Sequence, residues 1–314
     1  MVKPRIGYLL PTRELVMDGQ PETGPMLALA ERAEALGYDS VWIGDSLLAR
    51  PRHDPLTMLA AVAARTTRVD LGTAVLIPAL RNPVVLAQQV ATLDRISEGR
   101  LILGVGIATD VPNVRAEFAA AGVPFEKRIA LMLEQIRLCR ALWSGKPVDW
   151  DGRWKVAHAE LAPTPHTPGG PPIWGGGAMP GALKRAGRYF QGWFPSGPGG
   201  PAEWTKCWNE VKANATEAGR DPATITGAAY VTVAVDDDQA KAEASLNGYL
   251  ESYYLLPAAT IRGQQYCFAG NRKAATAWLR AFVDGGATHM CVRFTGGDAE
   301  RQMDTLAEMR AEMG

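Results

Sequence analysis

The sequence predicts a (β/α)8 TIM barrel of the α/β class, on three observations. Short apolar, β-branched runs recur eight times along the 314 residues. Each is usually followed by a segment of helical period. The sharpest run, RLILGVG at 100–106, is almost wholly apolar, as a strand buried on both faces requires. Alternating β and α elements imply parallel strands joined by helical crossovers, and eight such units close a barrel. A doubly wound open sheet is the alternative arrangement of the same pattern. The chain exceeds a minimal barrel of about 250 residues. It reads as one domain, 1–314, with insertions at the C-terminal face near 150–172 and 236–270.

The expected strands are Ile6–Leu10, Ser40–Gly44, Asp70–Leu76, Leu101–Gly106, Ile173–Gly177, Gly192–Pro195, Ile225–Val235 and His289–Phe294. Met26, Leu29, Ala30 and Ala33 give the first helix its apolar stripe, and Ile129, Met132, Leu133 and Ile136 do so for the fourth. Pro55 and Pro83 stand where helices can begin. Ser97, Gly99 and Arg100 supply the stop after the helix that starts near Leu86. Trp150 to Pro172 is rich in proline and glycine and reads as a loop over one end. Asp236 to Gly270 opens on an acidic triplet and a helical pattern, then breaks at Pro257. Long insertions in compact domains often serve as lids or binding loops.

Composition narrows the partners. Lys+Arg and Asp+Glu number 33 each, so the chain lacks the basic surplus that nucleic acid or an acidic membrane would call for. No apolar run approaches the roughly 20 residues of a membrane span, and the start, MVKPRIGYLLP, is too short in apolar residues for a signal peptide. Cys139, Cys207, Cys267 and Cys291 are scattered without a CxxC pair and read as buried free thiols of a reducing, cytoplasmic compartment.

Barrel active sites lie at the C-terminal ends of strands. Those ends carry Thr12 and Arg13, then Asp45 and Ser46, then Ile107 to Asp110, then Gly175 to Gly177, then Ser196 and Gly197, and Arg293 near the last. No strand end carries a lysine for a Schiff base. The four histidines make no HxH or HExxH pair for a metal, and no GxSxG elbow occurs. Side chains so poor in strong catalysts fit a cofactor that brings its own reactivity. WGGGAMPG at 174–181 and SGPGGP at 196–201 each put glycines between a strand end and a helix start. Glycine backbone N–H groups and a helix N-terminus favour an anion such as phosphate, although both stretches also read as plain turns. LGVG at 103–106 begins a GxGxxG, but Thr109 stands where the third glycine belongs, which argues against a Rossmann fingerprint.

The run LAQQVATLDRISEGRLILGVG at 86–106 resembles the luciferase-like flavin- and deazaflavin-dependent oxidoreductases. SVWIGDS at 40–46, LGTAVLIP at 71–78, RIALMLEQIRLCRALWSG at 128–145, PPIWGGG at 171–177 and GWFPSG at 192–197 extend the resemblance over most of the chain. It implies a non-proline cis peptide at Ala74–Val75 behind the flavin ring. It also implies that Asp45 and Ser46 contact the cofactor head, with Gly106 and Thr109 nearby. Gly175, Gly176, Gly177, Ser196 and Gly197 would hold its phosphate. Asp45 followed by a small polar residue resembles the branch that uses the deazaflavin F420, whereas FMN users more often show Glu-His. Many F420 users carry histidine where this chain has Ser46, and the F420 glucose-6-phosphate dehydrogenases carry a catalytic glutamate at the position of Thr109. Those enzymes also hold the sugar phosphate with a lysine that SGPGG lacks, so sugar-phosphate oxidation is not expected.

The expected activity is hydride transfer between F420 and a small organic substrate, with Ser46, Thr109, Asp110 and His53 as candidates for proton transfer. The alternative is an FMN-dependent two-component monooxygenase fed by a separate flavin reductase. A non-catalytic flavin-binding protein is the third. The resemblance further implies a homodimer paired through the helix at 86–96, whose face carries Gln88, Gln89 and Thr92. No metal site is expected.

Overall fold

The structure is a computed structural model that describes residues 3–313. Its strands are β1 (Arg5–Leu9), β2 (Ser40–Ile43), β3 (Asp70–Thr73), β4 (Leu101–Val105), β5 (Val148–Asp151), β6 (Lys155–Ala159), β7 (Ile173–Gly175), β8 (Gly192–Trp193), β9 (Thr226–Val235), β10 (Cys267–Gly270) and β11 (His289–Phe294). All eight expected strands are present. The parallel set runs β1-β2-β3-β4-β7-β8-β9-β11, with β11 bonded back to β1, which is the strand order of a (β/α)8 barrel. Packing divides the chain into two compact units.

The first unit takes the chain through Leu10, then Thr23–Trp42, then Ile173 onward. Its ladders run β7-β8-β9-β11-β1-β2, all parallel. In β11 and β9, His289 pairs with Ala228, Cys291 with Tyr230 and Arg293 with Thr232. Paired residues share a face, so these alternate positions line one side of the sheet. His289, Trp42, Trp174 and Phe194 pack on that side, with ring centroids 4.6 to 6.0 Å apart. Gly7 is required there, because a Cβ would meet Ser40 Oγ and lie 2.5 Å from Trp42 Nε1.

The second unit comprises Pro11–Glu22 and Ile43–Pro172. It holds β3 and β4, paired at Leu71↔Leu101 and Gly72↔Ile102. The helices Pro55–Arg65 and Pro83–Ile96 begin where the prolines predict, capped by the side chains of Asp54 and Asn82. Arg100 is more than a stop signal. Its guanidinium donates to the carbonyls of Ala63, Thr66 and Val69, so it closes the C-terminus of the Pro55–Arg65 helix. Ile77, Leu80, Val114, Phe118, Phe125 and Leu131 form a buried apolar cluster beneath the strand exits of this unit.

Four expectations need correction. The third strand stops at Thr73, and only a bridge from Leu76 to Val105 resumes it. Ala74 N–H turns to the carbonyl of Ile43 and Leu76 N–H to Gly104, so the backbone leaves register between them. The stretch read as a loop from Trp150 holds most of an antiparallel hairpin, β5 with β6. Within 236–270, β10 joins the far end of the ten-residue β9, whose near end pairs with β8. In the helix Arg128–Leu142 the buried face carries Leu131, Met132, Gln135, Ile136, Leu138, Cys139 and Leu142, while Ile129 and Leu133 are half-buried. The stripe Met26, Leu29, Ala30 and Ala33 is buried as expected. All four cysteines are free, with Cys267 only half-buried.

Candidate active site

In the second unit, three consecutive strand exits are tied together. After β2, a Cβ on Gly44 would displace only the flexible end of Arg52 and would lie 3.5 Å, an ordinary contact, from the Ala74 carbonyl oxygen. Asp45 follows with a side chain 1% exposed. Its carboxylate accepts from Arg81 Nη1 at 2.6 Å, Arg81 Nη2 at 3.0 Å and the Ile77 N–H at 2.8 Å. Asp45 therefore fixes the backbone just beyond β3 through a forked, charge-assisted pair. The Ala74–Val75 peptide is cis, as the resemblance implies. Val75 Cγ2 lies 2.6 Å from where a Cβ on Gly106 would stand, so the glycine makes space for Val75.

Ser46 is buried, with its hydroxyl hydrogen-bonded as donor and as acceptor. Its hydroxyl donates to Glu117 Oε2 at 2.7 Å and accepts from the Arg50 N–H at 2.9 Å. Glu117, itself buried, also accepts from the N–H groups of Leu48 and Ala49 on the same oxygen, while Oε1 is buried without a partner. Sequence reasoning missed Glu117, although a signal existed. Val114, Glu117 and Phe118 stand at i, i+3 and i+4 of one helix, which places the carboxylate on its buried face.

The other proton-transfer candidates sit in different settings. His53 Nε2 lies 2.7 Å from the carbonyl oxygen of Pro21, and its Nδ1 is buried without a partner. Thr109 is exposed. Asp110 is exposed and forked onto Arg115 at 2.6 and 2.8 Å. The hydrogen bonds and charge of Arg115 hold its carboxyl below the usual range, so it is ionised at neutral pH.

In the first unit, the two glycine-rich turns have the same construction. Gly175 lies against Phe190, and Gly177 takes a left-handed φ of +90° while its carbonyl accepts from Trp193 Nε1 at 2.9 Å. The helix Pro180–Tyr189 begins just beyond, with no side-chain cap at Met179. One strand later, Gly197 has φ +150° and presses on the backbone of Gln264 and Gln265. The Ser196 carbonyl there receives the Tyr266 N–H. The helix Pro201–Glu217 starts at Gly200, again with no side-chain cap. Asp54, Asn82, Asp238, Asn271 and Asp298 cap other helices with their own oxygens, while the helices Gly24–Ala35, Pro112–Ala120 and Arg128–Leu142 also begin without a side-chain cap. The two turns therefore leave first-turn N–H groups that no side chain answers.

Arg293, at the end of β11, is 2% exposed. Nε and Nη2 donate to Thr232 Oγ1 at 3.0 and 2.7 Å, Nη2 also to Gln265 Oε1 at 3.0 Å, and Nη1 to the Tyr254 hydroxyl at 3.0 Å. The rings of Tyr230, Tyr249, Tyr253 and Tyr254 surround it at 4.9 to 5.5 Å. A polar cavity of about 930 Å³ also opens in this unit, between Asp236, Arg272, Gly296 and Arg301. None of the expected site residues lines it.

These strand ends offer backbone cradles and well-packed apolar surface, with few reactive side chains. The chain is a (β/α)8 barrel built to hold a reagent more than to be one. It belongs to the luciferase-like monooxygenase family, which it matches over residues 4–314, and with it to the oxidoreductases. It is 31% identical over 318 residues to an F420-dependent glucose-6-phosphate dehydrogenase of Amycolatopsis mediterranei (strain U-32), covering 91% of this chain and 94% of that protein. Its fold is similar to that of an F420-dependent secondary alcohol dehydrogenase in complex with an F420-acetone adduct, with a TM-score of 0.81, 24% identity and 98% of each chain covered. It is also similar in fold to a riboflavin lyase with modified FMN, with a TM-score of 0.78, 15% identity and 99% and 92% covered. Among the described residues no helix is long and apolar enough to cross a membrane.

Proposed function

We propose that this protein is an F420-dependent oxidoreductase that moves a hydride between the deazaflavin and a small organic substrate. The observation that carries the reading is the pair of glycine turns, each followed by a helix without a side-chain cap, in a chain 31% identical to an F420-dependent dehydrogenase. When bound, F420 supplies the hydride donor or acceptor at C5 of its ring.

The chain's own residues do the rest. The N–H groups around Gly175, Gly176, Gly177, Ser196 and Gly197 fit a phosphate, because helix N-termini favour negative charge. Ala74 and Val75 back the ring, Gly106 gives Val75 its place, and Thr109 is proposed as a further cofactor contact. Asp45 acts on that wall through Arg81 and Ile77, and Ser46, held by Glu117, is proposed to stand at the cofactor head. Hydride transfer to or from an alcohol carbon must be matched by a proton at its oxygen. Ser46, His53, Thr109 and Asp110 are the groups proposed for that proton, and the Arg115 fork makes Asp110 a weaker base than a free carboxylate.

Titrating the protein in parallel with F420 and FMN, by tryptophan quenching, tests the reading. Micromolar F420 binding with much weaker FMN binding is expected. The reverse preference would replace it with an FMN-dependent two-component monooxygenase served by a separate reductase. A cytoplasmic homodimer is part of the proposal. The helix Pro83–Ile96 supports it by exposing Val84 at 41%, Val85 at 51% and Ile96 at 44% beside Gln88, Gln89 and Thr92.

A further inference from the structure

The guanidinium of Arg185 lies at the end of its helix that repels a cation. Arg185 stands in the second turn of Pro180–Tyr189 and turns back over the first, where a Cβ on Gly181 would lie 3.3 Å from Nη1. A helix N-terminus carries partial positive charge, and this first turn holds no acid to offset a second positive group. Among the described residues none accepts a hydrogen bond from the Arg185 side chain or forms an ion pair with it. Its neighbours are answered. Arg188 pairs with Glu217 at 3.7 Å, and Arg220 donates to the carbonyls of Gly187 and Phe190 at the C-terminal end, where a cation belongs. Lys184 is exposed to water, but Arg185 is half-buried, and burial lowers its pKa with nothing to raise it. The next glycine turn is built the other way. Its helix, Pro201–Glu217, has Glu203 in the first turn, and a Cβ on Gly199 would lie 2.9 Å from the Glu203 Cβ. That carboxylate, paired with Lys206 at 3.4 Å, already complements the helix end and repels a second anion.

We propose that Arg185 is the charged ligand of the cofactor's phosphate, with the anion seated at the Gly175–Gly177 turn in preference to the turn at 196–200. This rests on the hydride-transfer reading and assigns within it the residue and the turn that hold the charge. The turn and the first turn of the helix are in contact, since a Cβ on Gly177 would lie 3.2 Å from the Ala182 Cβ. Gly177, Pro180 and Gly181 are exposed and Gly176 is half-buried, so an anion reaches the turn directly from water. Backbone N–H groups offer a phosphate only partial charge. The guanidinium adds a full charge and two parallel donors that match two phosphate oxygens. The anion in turn relieves the repulsion between the guanidinium and the helix end.

The test compares full-length wild type, Arg185→Gln, Arg185→Lys and Glu203→Gln. F420 binding is read by fluorescence, and thermal unfolding is read without ligand and with inorganic phosphate at constant ionic strength. Arg185→Gln is expected to lower F420 affinity about 10- to 100-fold. Its ligand-free melting temperature is expected to hold or rise, because an unanswered charge has gone. Arg185→Lys keeps the charge without the fork and is expected to recover part of the affinity. Glu203→Gln is expected to leave F420 affinity within about threefold. Inorganic phosphate is expected to raise the wild-type melting temperature saturably and to lose that effect in Arg185→Gln. Unchanged F420 affinity in Arg185→Gln, or phosphate protection that survives in it, overturns the assignment. A gain of about tenfold or more in Glu203→Gln overturns it too, because the anion then sits at the second turn. Should the glutamine variant not fold, the lysine variant decides, and wild-type affinity in it overturns the assignment. Failure of the wild type to bind F420 sinks the hydride-transfer reading instead. Phosphate protection lost in the Arg185 variants then still supports the anion site, and no phosphate protection of the wild type overturns it.

Discussion

Asp45 and Arg293 are both charged, both buried and both near the end of a strand, yet the chain treats them in opposite ways. Asp45 is answered in full by the Arg81 fork and the Ile77 N–H. Arg293 is answered by hydroxyls, an amide and aromatic faces. His289, two positions below Arg293 on the same face of the same strand, shows a third solution. Burial drives its pKa down to about 3, so the ring is neutral. A buried charge can be paired with an opposite charge, discharged, or surrounded by neutral polar and aromatic groups. The paired one shapes the backbone, while Arg293 is held by hydroxyls, an amide and aromatic faces.

The largest expected effect breaks the paired case. Asp45→Ala leaves Arg81, whose side chain is 11% exposed, with Asp54 as its only carboxylate, and should cost about 3–5 kcal/mol in urea unfolding. Because Ile77 loses its acceptor, F420 affinity should fall with it. Arg293→Met should cost less by about 2 kcal/mol or more, since methionine leaves no charge behind and fills similar space. Equal losses would mean that Arg293 is architecture like Asp45.

The discharged case gives a pH dependence. His289 has a folded pKa of about 3 against an unfolded value near 6.5, so its contribution to stability is complete above about pH 6.5. That contribution is lost as pH falls from 6.5 toward 3, because only the unfolded chain takes up the proton. Between pH 7.5 and 4.5 the loss should be roughly 2–3 kcal/mol. His289→Gln should remove that part of the slope and leave the carboxylate part.

Gly106→Ala puts a methyl 2.6 Å from Val75 Cγ2 and should cost about 1–3 kcal/mol together with weaker F420 binding. Asp110→Asn, at the exposed end of the scale, should leave the melting temperature almost unchanged. Its proposed role as proton acceptor predicts a fall of about 10²-fold or more in alcohol oxidation. An unchanged rate would remove Asp110 from the site.

Some of this is written in local pattern. The strand runs, the prolines at helix starts, the glycine turns and the cis position at Ala74–Val75 all lie in short stretches where spacing or resemblance speaks. The β5–β6 hairpin was obscured by the proline- and glycine-rich sequence that follows it, and β10 by its position inside a polar insertion. Glu117 could have been found from its helix face. Arg81 could not, because it lies 36 residues from Asp45 and no periodicity links them.

The sequence by itself determined the alternation of elements, the places where backbone must come close and the family to which the chain belongs. These depend on contacts a few residues apart, or on motifs that read in one line. Only the tertiary structure decided which charges meet. The tyrosines at 230, 249, 253 and 254 reach Arg293 because β9 lies beside β11 and the Gln239–Tyr254 helix packs over them. A charge's environment is set by long-range contacts, so the neutral surroundings of Arg293 could be seen only once the chain had folded.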